Sequence, residues 1–315
     1  MSIITYIDYY VPEGELFINE LLQQISSEEL PAPFDNKKKY KNYVQNILKI
    51  DSIRIEKEKS IDEMVFNLID KALDNKVFTP EEINLIIIAQ DDNSWTNPDI
   101  GHLIQKKYKM LRAHPIKISG NQCINIELAW LYSKYFQTSN KAIRNVLIIS
   151  ATRKPDIQNR ILSSYSINGD GAGIILIRNE SENGIEILDH AIVCSGLINK
   201  REGERTINTI PHCNYLYNCI NELVKRRGVN SNNINKVIIQ NANPMLAEQC
   251  LCANGFKKEH IFDENLGKYG HLDQLDFLVN LHDCLEKYEG NMNNQILTVG
   301  FGYSGTYLSM LLEKK

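Results

Sequence analysis

Three stretches of the chain carry residue types that can do chemistry together: Cys123, His271 with two acids behind it, and the glycine-rich run Gly300–Gly305. Cys123 follows a short predicted strand (Pro115–Ser119) and a small turn (Gly120-Asn121-Gln122), and it opens the apolar run Ile124–Phe136, predicted as a helix. A thiol at a helix N-terminus feels the positive end of the dipole, which favours thiolate. Backbone N–H groups at such a place can also cradle an oxyanion. The other reading of the same pattern is a buried, inert cysteine. Tyr269-Gly270-His271 precedes a predicted helix, Leu272–Tyr288, that carries Asp273 and Asp276. The dipole keeps an imidazole there neutral and able to act as a general base. If His271 stands just before the helix, Asp276 is spaced to fix its tautomer, as in a triad. Asp273 reads equally as a first-turn acid complementing the dipole, and His271 as a satisfied or surface histidine. Gly300-Phe301-Gly302-Tyr303-Ser304-Gly305 joins two predicted strands, either as a plain hairpin turn or with N–H groups aimed at a ligand.

Other motifs carry less. Asn168–Gly173 is glycine-rich but lacks the spacing of a dinucleotide fingerprint, and a strand follows where a helix is needed; a tight turn with close backbones is the reading. The seven cysteines are odd in number, Cys250-x-Cys252 is too tight for zinc, and His212-Cys213 stands alone, so neither a disulfide framework nor a metal site is expected. His190 and His212 have no motif context and read as structural. The 315 residues are 43% hydrophobic and 23% charged with a net charge of -4, a globular composition without the bulk positive charge of a nucleic-acid binder. No apolar run is long enough to span a membrane, and the N-terminus lacks a signal layout, so a cytoplasmic protein is expected.

The elements that must position these residues alternate along the chain. Predicted strands lie at Ile3–Tyr10, Asn84–Ala89, Pro115–Ser119, Val146–Ala151, Gly173–Ile177, Gly184–His190, Lys236–Gln240, Ile296–Gly300 and Thr306–Leu312. Predicted helices lie at Ser60–Asp74, Pro98–Tyr108, Ile124–Phe136, Cys213–Lys225, Pro244–Ala253 (capped by Asn243) and Leu272–Tyr288, with a loop at Glu289–Asn294. The turn residues Ser181–Asn183 predict a hairpin between Gly173–Ile177 and Gly184–His190. Strand and helix in alternation give an α/β protein with layered sheets. Asn36–Asn42 reads as a solvated surface face.

These segments, in this order, resemble the ketoacyl-acyl-carrier-protein synthase III family of the thiolase superfamily nearly end to end. The resemblance rests on Ile7–Glu13, Asp51–Arg54, Leu85–Gln90, Ser119–Cys123, Gly169–Gly173 (Gly-Asp-Gly-Ala-Gly in full), Gln240–Asn243, Tyr269–His271 and Gly300–Gly305. It implies a thiolase-like fold, a five-layer αβαβα sandwich of two similar halves, at residues 1–172 with the nucleophile and 173–315 with His271 and the terminal turn. It also implies a dimer, either a homodimer or a heterodimer with a homologous subunit. Coenzyme A or carrier-protein thioesters are implied as substrates, with no tightly bound cofactor. Gln240 stands where elongating members have His, and His271 where they have Asn. Gln can neither act as a base nor carry charge. The pattern is similar to the non-elongating, acyl-transferring or priming branch. That similarity implies Cys123 as nucleophile, His271 as base, Asp276 as its orienter, and an oxyanion held by Cys123 N–H and the Tyr303–Ser304–Gly305 turn. Claisen condensation and a degenerate partner subunit are the alternatives. No Trp stands in Tyr43–Arg54 for coenzyme A stacking, which leaves room for a carrier protein that Lys37, Lys38 and Lys39 would meet.

Overall fold

The computed structural model describes residues 2–91, 99–196, 209–231, 233–288 and 295–315. The predicted loop Glu289–Asn294 and Pro98 at the predicted start of its helix lie outside these. Ten strands carry the architecture. Five belong to a first set: β1 (Ile3–Tyr10), β2 (Leu85–Ala89), β3 (His114–Ile118), β4 (Asn145–Thr152) and β5 (Gly171–Arg178). Five belong to a second: β6 (Ile185–Cys194), β7 (Lys236–Ile239), β8 (Ile261–Phe262), β9 (Gln295–Gly302) and β10 (Thr306–Lys314). Their spatial order is β3-β2-β4-β5-β1 in one set and β8-β7-β9-β10-β6 in the other. The two orders are the same permutation of chain order. The same pairs are parallel in each set (β2 with β3 and β4; β7 with β8 and β9), and the remaining pairs are antiparallel. The sets meet only through Ile3 with Glu186 and Ile4 with Ile185. The chain is therefore a structural duplication. β5 runs through the expected boundary at 172/173 and pairs with β1 and β4, so the halves meet in the connection between β5 and β6 instead.

The predicted hairpin between Gly173–Ile177 and Gly184–His190 does not form. β1 lies between those strands, paired along its length with β5, and β6 pairs with β10. Local turn chemistry is satisfied in either arrangement, and the long apolar β1 decides the pairing.

Among the described residues, seven helices of eight residues or more pack with the strands: α1 (Lys37–Asn46), α2 (Ile61–Asp74), α3 (Ile100–Lys107), α4 (Asn125–Ser139), α5 (Thr209–Arg227), α6 (Pro244–Ala253) and α7 (Leu275–Lys287). Successive strand side chains point to opposite faces, so a strand covered on both faces reads as a continuous apolar run. β2 (LIIIA) is buried throughout. Its Ile86 and Ile88 pack outward against Met64, Val65 and Ile69 of α2 and Ile104 of α3. Its Ile87 packs inward with Leu128 and Trp130 of α4 and Leu278 of α7. The inner face of the second set (Ile238, Ile296, Leu308, Met310) closes on the same two helices. Its outer face (Val237, Leu297, Leu311) is covered by Leu216 and Ile220 of α5 and Leu246 and Leu251 of α6. The layers run helix, sheet, helix, sheet, helix, as expected. α4 and α7 are the buried middle layer, with Trp130 against Phe277 at 6.1 Å between ring centroids.

Asn36–Asn42 lies on α1, where Asn36 caps Lys39 N–H and Tyr40 and Val44 are buried. The apolar face is Tyr40 and Val44 with the half-buried Tyr43 beside them, and lysines dilute its period. Lys38 and Lys39 are exposed. No helix among the described residues is long and apolar enough to cross a membrane.

Candidate active site

Cys123 lies in a single 3-10 turn, Gln122–Ile124, immediately before α4. The turn is held open in a sparsely populated conformation: Gln122 has φ 53°, unusual for a side-chain-bearing residue. The Asp91 carboxylate accepts hydrogen bonds from the N–H groups of Gly120 and Gln122 and so compensates that geometry. On the other side the terminal hairpin leans on the same turn. A side chain at Gly302 would start 2.2 Å from the Asn121 carbonyl oxygen, so only glycine lets β9 approach this closely. Thr306 Oγ1 donates to Asn121 Oδ1 at 2.9 Å and fastens the two together.

His271 comes from the second half, just before α7. Its approach needs Gly270, which has φ 71° and whose absent Cβ would lie 2.6 Å from Ile53 Cγ2 and 2.8 Å from the Ile167 carbonyl. The His271 N–H donates to the Ile167 carbonyl at 2.9 Å, and its own carbonyl accepts from Gly169 N–H at 2.8 Å. The Gly-Asp-Gly-Ala-Gly motif is therefore a structural clamp on the histidine loop. Its buried Asp170 is gripped by both guanidinium nitrogens of Arg160 at 2.9 and 2.8 Å and accepts from the N–H groups of Glu56 and Lys154.

These two loops bring three groups into line. Cys123 Sγ is 3.2 Å from His271 Nε2, and His271 Nδ1 is 2.5 Å from Asp276 Oδ2. Asp276 also accepts from Asn241 N–H on Oδ2 and from Leu272 N–H on Oδ1, both at 2.7 Å. With Oδ2 as acceptor, the imidazole carries its proton on Nδ1 and turns a lone pair on Nε2 toward the thiol. Asn241 is itself fixed: its Nδ2 donates to the Gly270 carbonyl at 2.9 Å, and its Oδ1 accepts from Asn280 at 3.0 Å. All three residues of the triad are buried.

The electrostatics differ from the expectation at both ends. Burial pushes the Cys123 thiol up, and the neighbouring His271 only partly pulls it back. The helix dipole therefore does not leave a resting thiolate. Burial opposes protonation of His271, but the Asp276 carboxylate and Cys123 override it and raise its pKa well above the usual histidine value. The imidazole is a stronger base than one poised by a helix dipole. Glu127, one helical turn beyond Cys123, is pushed up to about 8 by burial and then by Asp276.

A cavity of about 510 Å³ opens onto Cys123, lined among others by Asp91, Arg153, Lys154, Asp273 and Tyr303. Asp273, read as a dipole acid, instead accepts from Thr152 Oγ1 at 2.8 Å and pairs with Lys154 at 3.0 Å; its other oxygen lies 3.9 Å from His271 Nε2. Cys123, His271 and Asp273 bring one sulfur, one nitrogen and one oxygen within 4.8 Å of each other, a set of metal-ligand types. The Lys154 ammonium already neutralises Asp273 there.

The other expected site residues divide. Tyr303 lines the cavity. The Gly305 N–H is used within the turn, donating to the Gly302 carbonyl at 2.9 Å, so Gly305 is not a free oxyanion donor. The Ser304 hydroxyl is buried without a partner among the described residues. Gln240 Oε1 accepts from Phe301 N–H at 3.1 Å, which ties the end of β7 to β9, and its buried Nε2 has no partner among the described residues. His190 stands outside the site, 2.9 Å from the Tyr135 hydroxyl. Asp91, Asn241, Thr152 and Lys154 were not singled out from the sequence. Their contribution comes through backbone groups and tertiary neighbours, which no spacing rule encodes.

The arrangement defines a class: a duplicated, five-layer thiolase fold with a Cys–His–Asp triad between its halves. The family described as 3-oxoacyl-[acyl-carrier-protein (ACP)] synthase III C terminal matches residues 224–314. The beta-ketoacyl-[acyl-carrier-protein] synthase III of Aquifex aeolicus is 26% identical over 275 residues, covering 82% of this chain and 86% of that protein. The crystal structure of the Aquifex aeolicus VF5 3-oxoacyl synthase III covers 99% of this chain and 100% of its own, with a TM-score of 0.79 at 22% identity. ChlB3, named as an acyltransferase, covers 99% and 97% with a TM-score of 0.78 at 15% identity. The chain is thus similar in sequence to beta-ketoacyl-[acyl-carrier-protein] synthase III proteins and shares their fold.

Proposed function

We propose that this protein is a non-elongating acyltransferase, moving an acyl group from a coenzyme A or carrier-protein thioester through Cys123 to an acceptor, as in starter-unit priming or tailoring. The observation that carries the reading is the line Cys123 Sγ–His271 Nε2–Nδ1–Asp276, at 3.2 and 2.5 Å. His271 Nε2 takes the thiol proton as sulfur attacks the thioester carbonyl, and Asp276 stabilises the imidazolium. The N–H groups of Cys123 and Tyr303 are the donors proposed for the oxyanion, since the Gly305 N–H is occupied. Collapse expels the donor thiol, which leaves with the proton from His271. In the second half-reaction Nε2 deprotonates the acceptor, which attacks the acyl-cysteine and releases the Cys123 thiolate. Gln240 in place of a second imidazole supports transfer over decarboxylative elongation.

Condensation is the second reading, supported by the buried, unpaired Gln240 Nε2, a neutral donor toward an enolate oxygen. We place the donor's carrier protein at the exposed lysines of α1 and the working unit as a dimer, homotypic or with a homologous subunit. Incubation with a panel of acyl thioesters and intact-mass measurement tests the proposal. A mass gain on Cys123 that is absent in Cys123→Ala, without carbon dioxide release from malonyl thioesters, is the expected result. Acylation that persists in Cys123→Ala would sink it, and carbon dioxide release with a condensed product would select the second reading. A stable heterodimer that acylates only the other subunit would mark this chain as a scaffold.

A further inference from the structure

Behind the cavity wall lies a cluster that the triad does not use. Tyr303 stacks edge-on against Tyr165 at 4.7 Å between ring centroids, and His212 stands 6.1 Å from Tyr165 and 6.2 Å from Tyr303. Tyr165 and His212 are fully buried. Among the described residues His212 makes one hydrogen bond, Nδ1 to the Tyr307 hydroxyl at 2.6 Å. The Tyr165 hydroxyl, the Tyr303 hydroxyl and His212 Nε2 are all buried, and none has a hydrogen-bond partner among the described residues. The Asn168 side-chain oxygen, on the wall of the cavity that exposes Cys123, is likewise buried and unpaired.

Each such atom destabilises a folded protein when nothing pairs with it. Buried polar atoms are nearly always satisfied, and an exception asks for a missing partner. Here the exceptions come from three elements: β10's preceding turn, α5, and the connection between β4 and β5. They gather around the one aromatic ring, Tyr303, that also lines the cavity. An apolar group in this cluster would leave every one of them unpaired. An oxygen-bearing group would pair with them. His212 stays neutral, its pKa lowered by burial to about 4, so it offers a dipole and not a charge. Three neutral groups select an uncharged partner.

Resting on the acyl-transfer reading, we infer that the Tyr165–His212–Tyr303 cluster is a specificity subsite for an uncharged hydroxyl or phenol group on the ligand presented to Cys123. Such a group can belong to the acyl chain or to the acceptor. Tyr165 carries the test because its hydroxyl has no hydrogen-bond partner among the described residues. Removing an unsatisfied hydroxyl does not weaken the fold, so Tyr165→Phe leaves the melting temperature unchanged or raised.

For the acyl source, equal mixtures of 3-hydroxybutanoyl- and butanoyl-coenzyme A, and of 4-hydroxybenzoyl- and benzoyl-coenzyme A, are offered to the full-length protein. The masses on Cys123 are then compared. For the acceptor source, acetyl-loaded protein is offered tyramine against phenethylamine, and the loss of the acetyl mass is followed. Binding of the same thioester and amine pairs to Cys123→Ala by calorimetry reads the preference without chemistry. If nothing loads, the transfer reading fails while this inference is still tested. The expected result is a preference of at least about tenfold for the hydroxylated member in one arm, the scale of one buried neutral hydrogen bond. Tyr165→Phe brings that preference close to one. Preference in the thioester arm assigns the group to the acyl chain, and in the amine arm to the acceptor. Equal handling in every arm, or a preference that Tyr165→Phe does not move, overturns the inference and leaves the cluster to an internal water.

Discussion

Replacing Asp276 by Asn separates a triad from a histidine that happens to lie near a cysteine. The carboxylate makes three contacts: His271 Nδ1 at 2.5 Å and Asn241 N–H at 2.7 Å on one oxygen, and Leu272 N–H at 2.7 Å on the other. An amide has one oxygen and one NH₂. Whichever way it is turned, its NH₂ faces a backbone N–H, so one buried donor is left opposed. That costs about 1–3 kcal/mol of stability. If the amide nitrogen faces His271, the imidazole flips its proton to Nε2 and no longer offers a lone pair to Cys123. The wrong tautomer costs about 10⁴-fold in a Ser–His–Asp triad, or about 5.5 kcal/mol in the barrier. The assay is the rate of Cys123 acylation by intact mass, alongside urea denaturation. The expected outcome is a folded variant, about 2 kcal/mol less stable, that loads some 10³- to 10⁴-fold more slowly. Loading within about tenfold of wild type would refute the orienting role.

Three further perturbations test the supporting structure and its protons. Acylation should slow as pH falls through the raised His271 pKa, because the base is then already protonated; Asp276→Asn should move that limb to lower pH, read from the pH–rate profile. Glu127 keeps its proton up to about pH 8 when folded but loses it near 4.5 when unfolded, so the native state holds the extra proton between those values and stability falls as pH rises. Glu127→Gln should flatten that slope, worth about 1.4 kcal/mol per pH unit, in denaturation curves from pH 5 to 8. Arg160→Ala strands the buried Asp170 and should cost about 3–5 kcal/mol, with lost acylation tracking the displaced histidine loop.

The chemistry was legible where a residue type and a short spacing suffice. Cys123 after a strand and turn, and His271 five residues ahead of Asp276, are local facts, and the structure joins them across 148 positions. Asn243 capping α6 was equally local. The glycine motif was read as a tight turn, and it is one, although its grip on the His271 backbone belongs to the tertiary fold. What failed had its cause at long range. The thiolate expected from the helix dipole loses to desolvation, which depends on everything packed around Cys123. The hairpin between β5 and β6 loses to a strand that begins the chain. Gly305 was placed among the oxyanion donors, but hairpin closure consumes its N–H.

The duplication explains why the site lies where it does. In each half the third strand is an edge, and the chain returns from it to the fourth strand through the central helical layer. In the first half that passage runs β3, Cys123, α4; in the second it runs β8, His271, α7. Cys123 and His271 thus sit at equivalent positions of the repeat, each just ahead of its own central helix. Because α4 and α7 pack against each other, these two loops must meet. The rest of the cavity follows the same rule. Arg153, Lys154 and Asn168 come from the connection between the fourth and fifth strands of the first half, and Tyr303 from the same connection in the second. Open α/β sheets bind ligands beyond the carboxyl ends of their strands, and here two such ends face one another. The halves then diverge by role. The second-half connection is a tight hairpin that supplies backbone to the nucleophile turn, as the Gly302–Asn121 contact shows. The first-half connection is long, and it carries Tyr165 and the Arg160 anchor that a hairpin has no room for. Divergence between two copies of one connection therefore makes one of them a brace for the Cys123 turn and leaves the other to form much of the cavity wall.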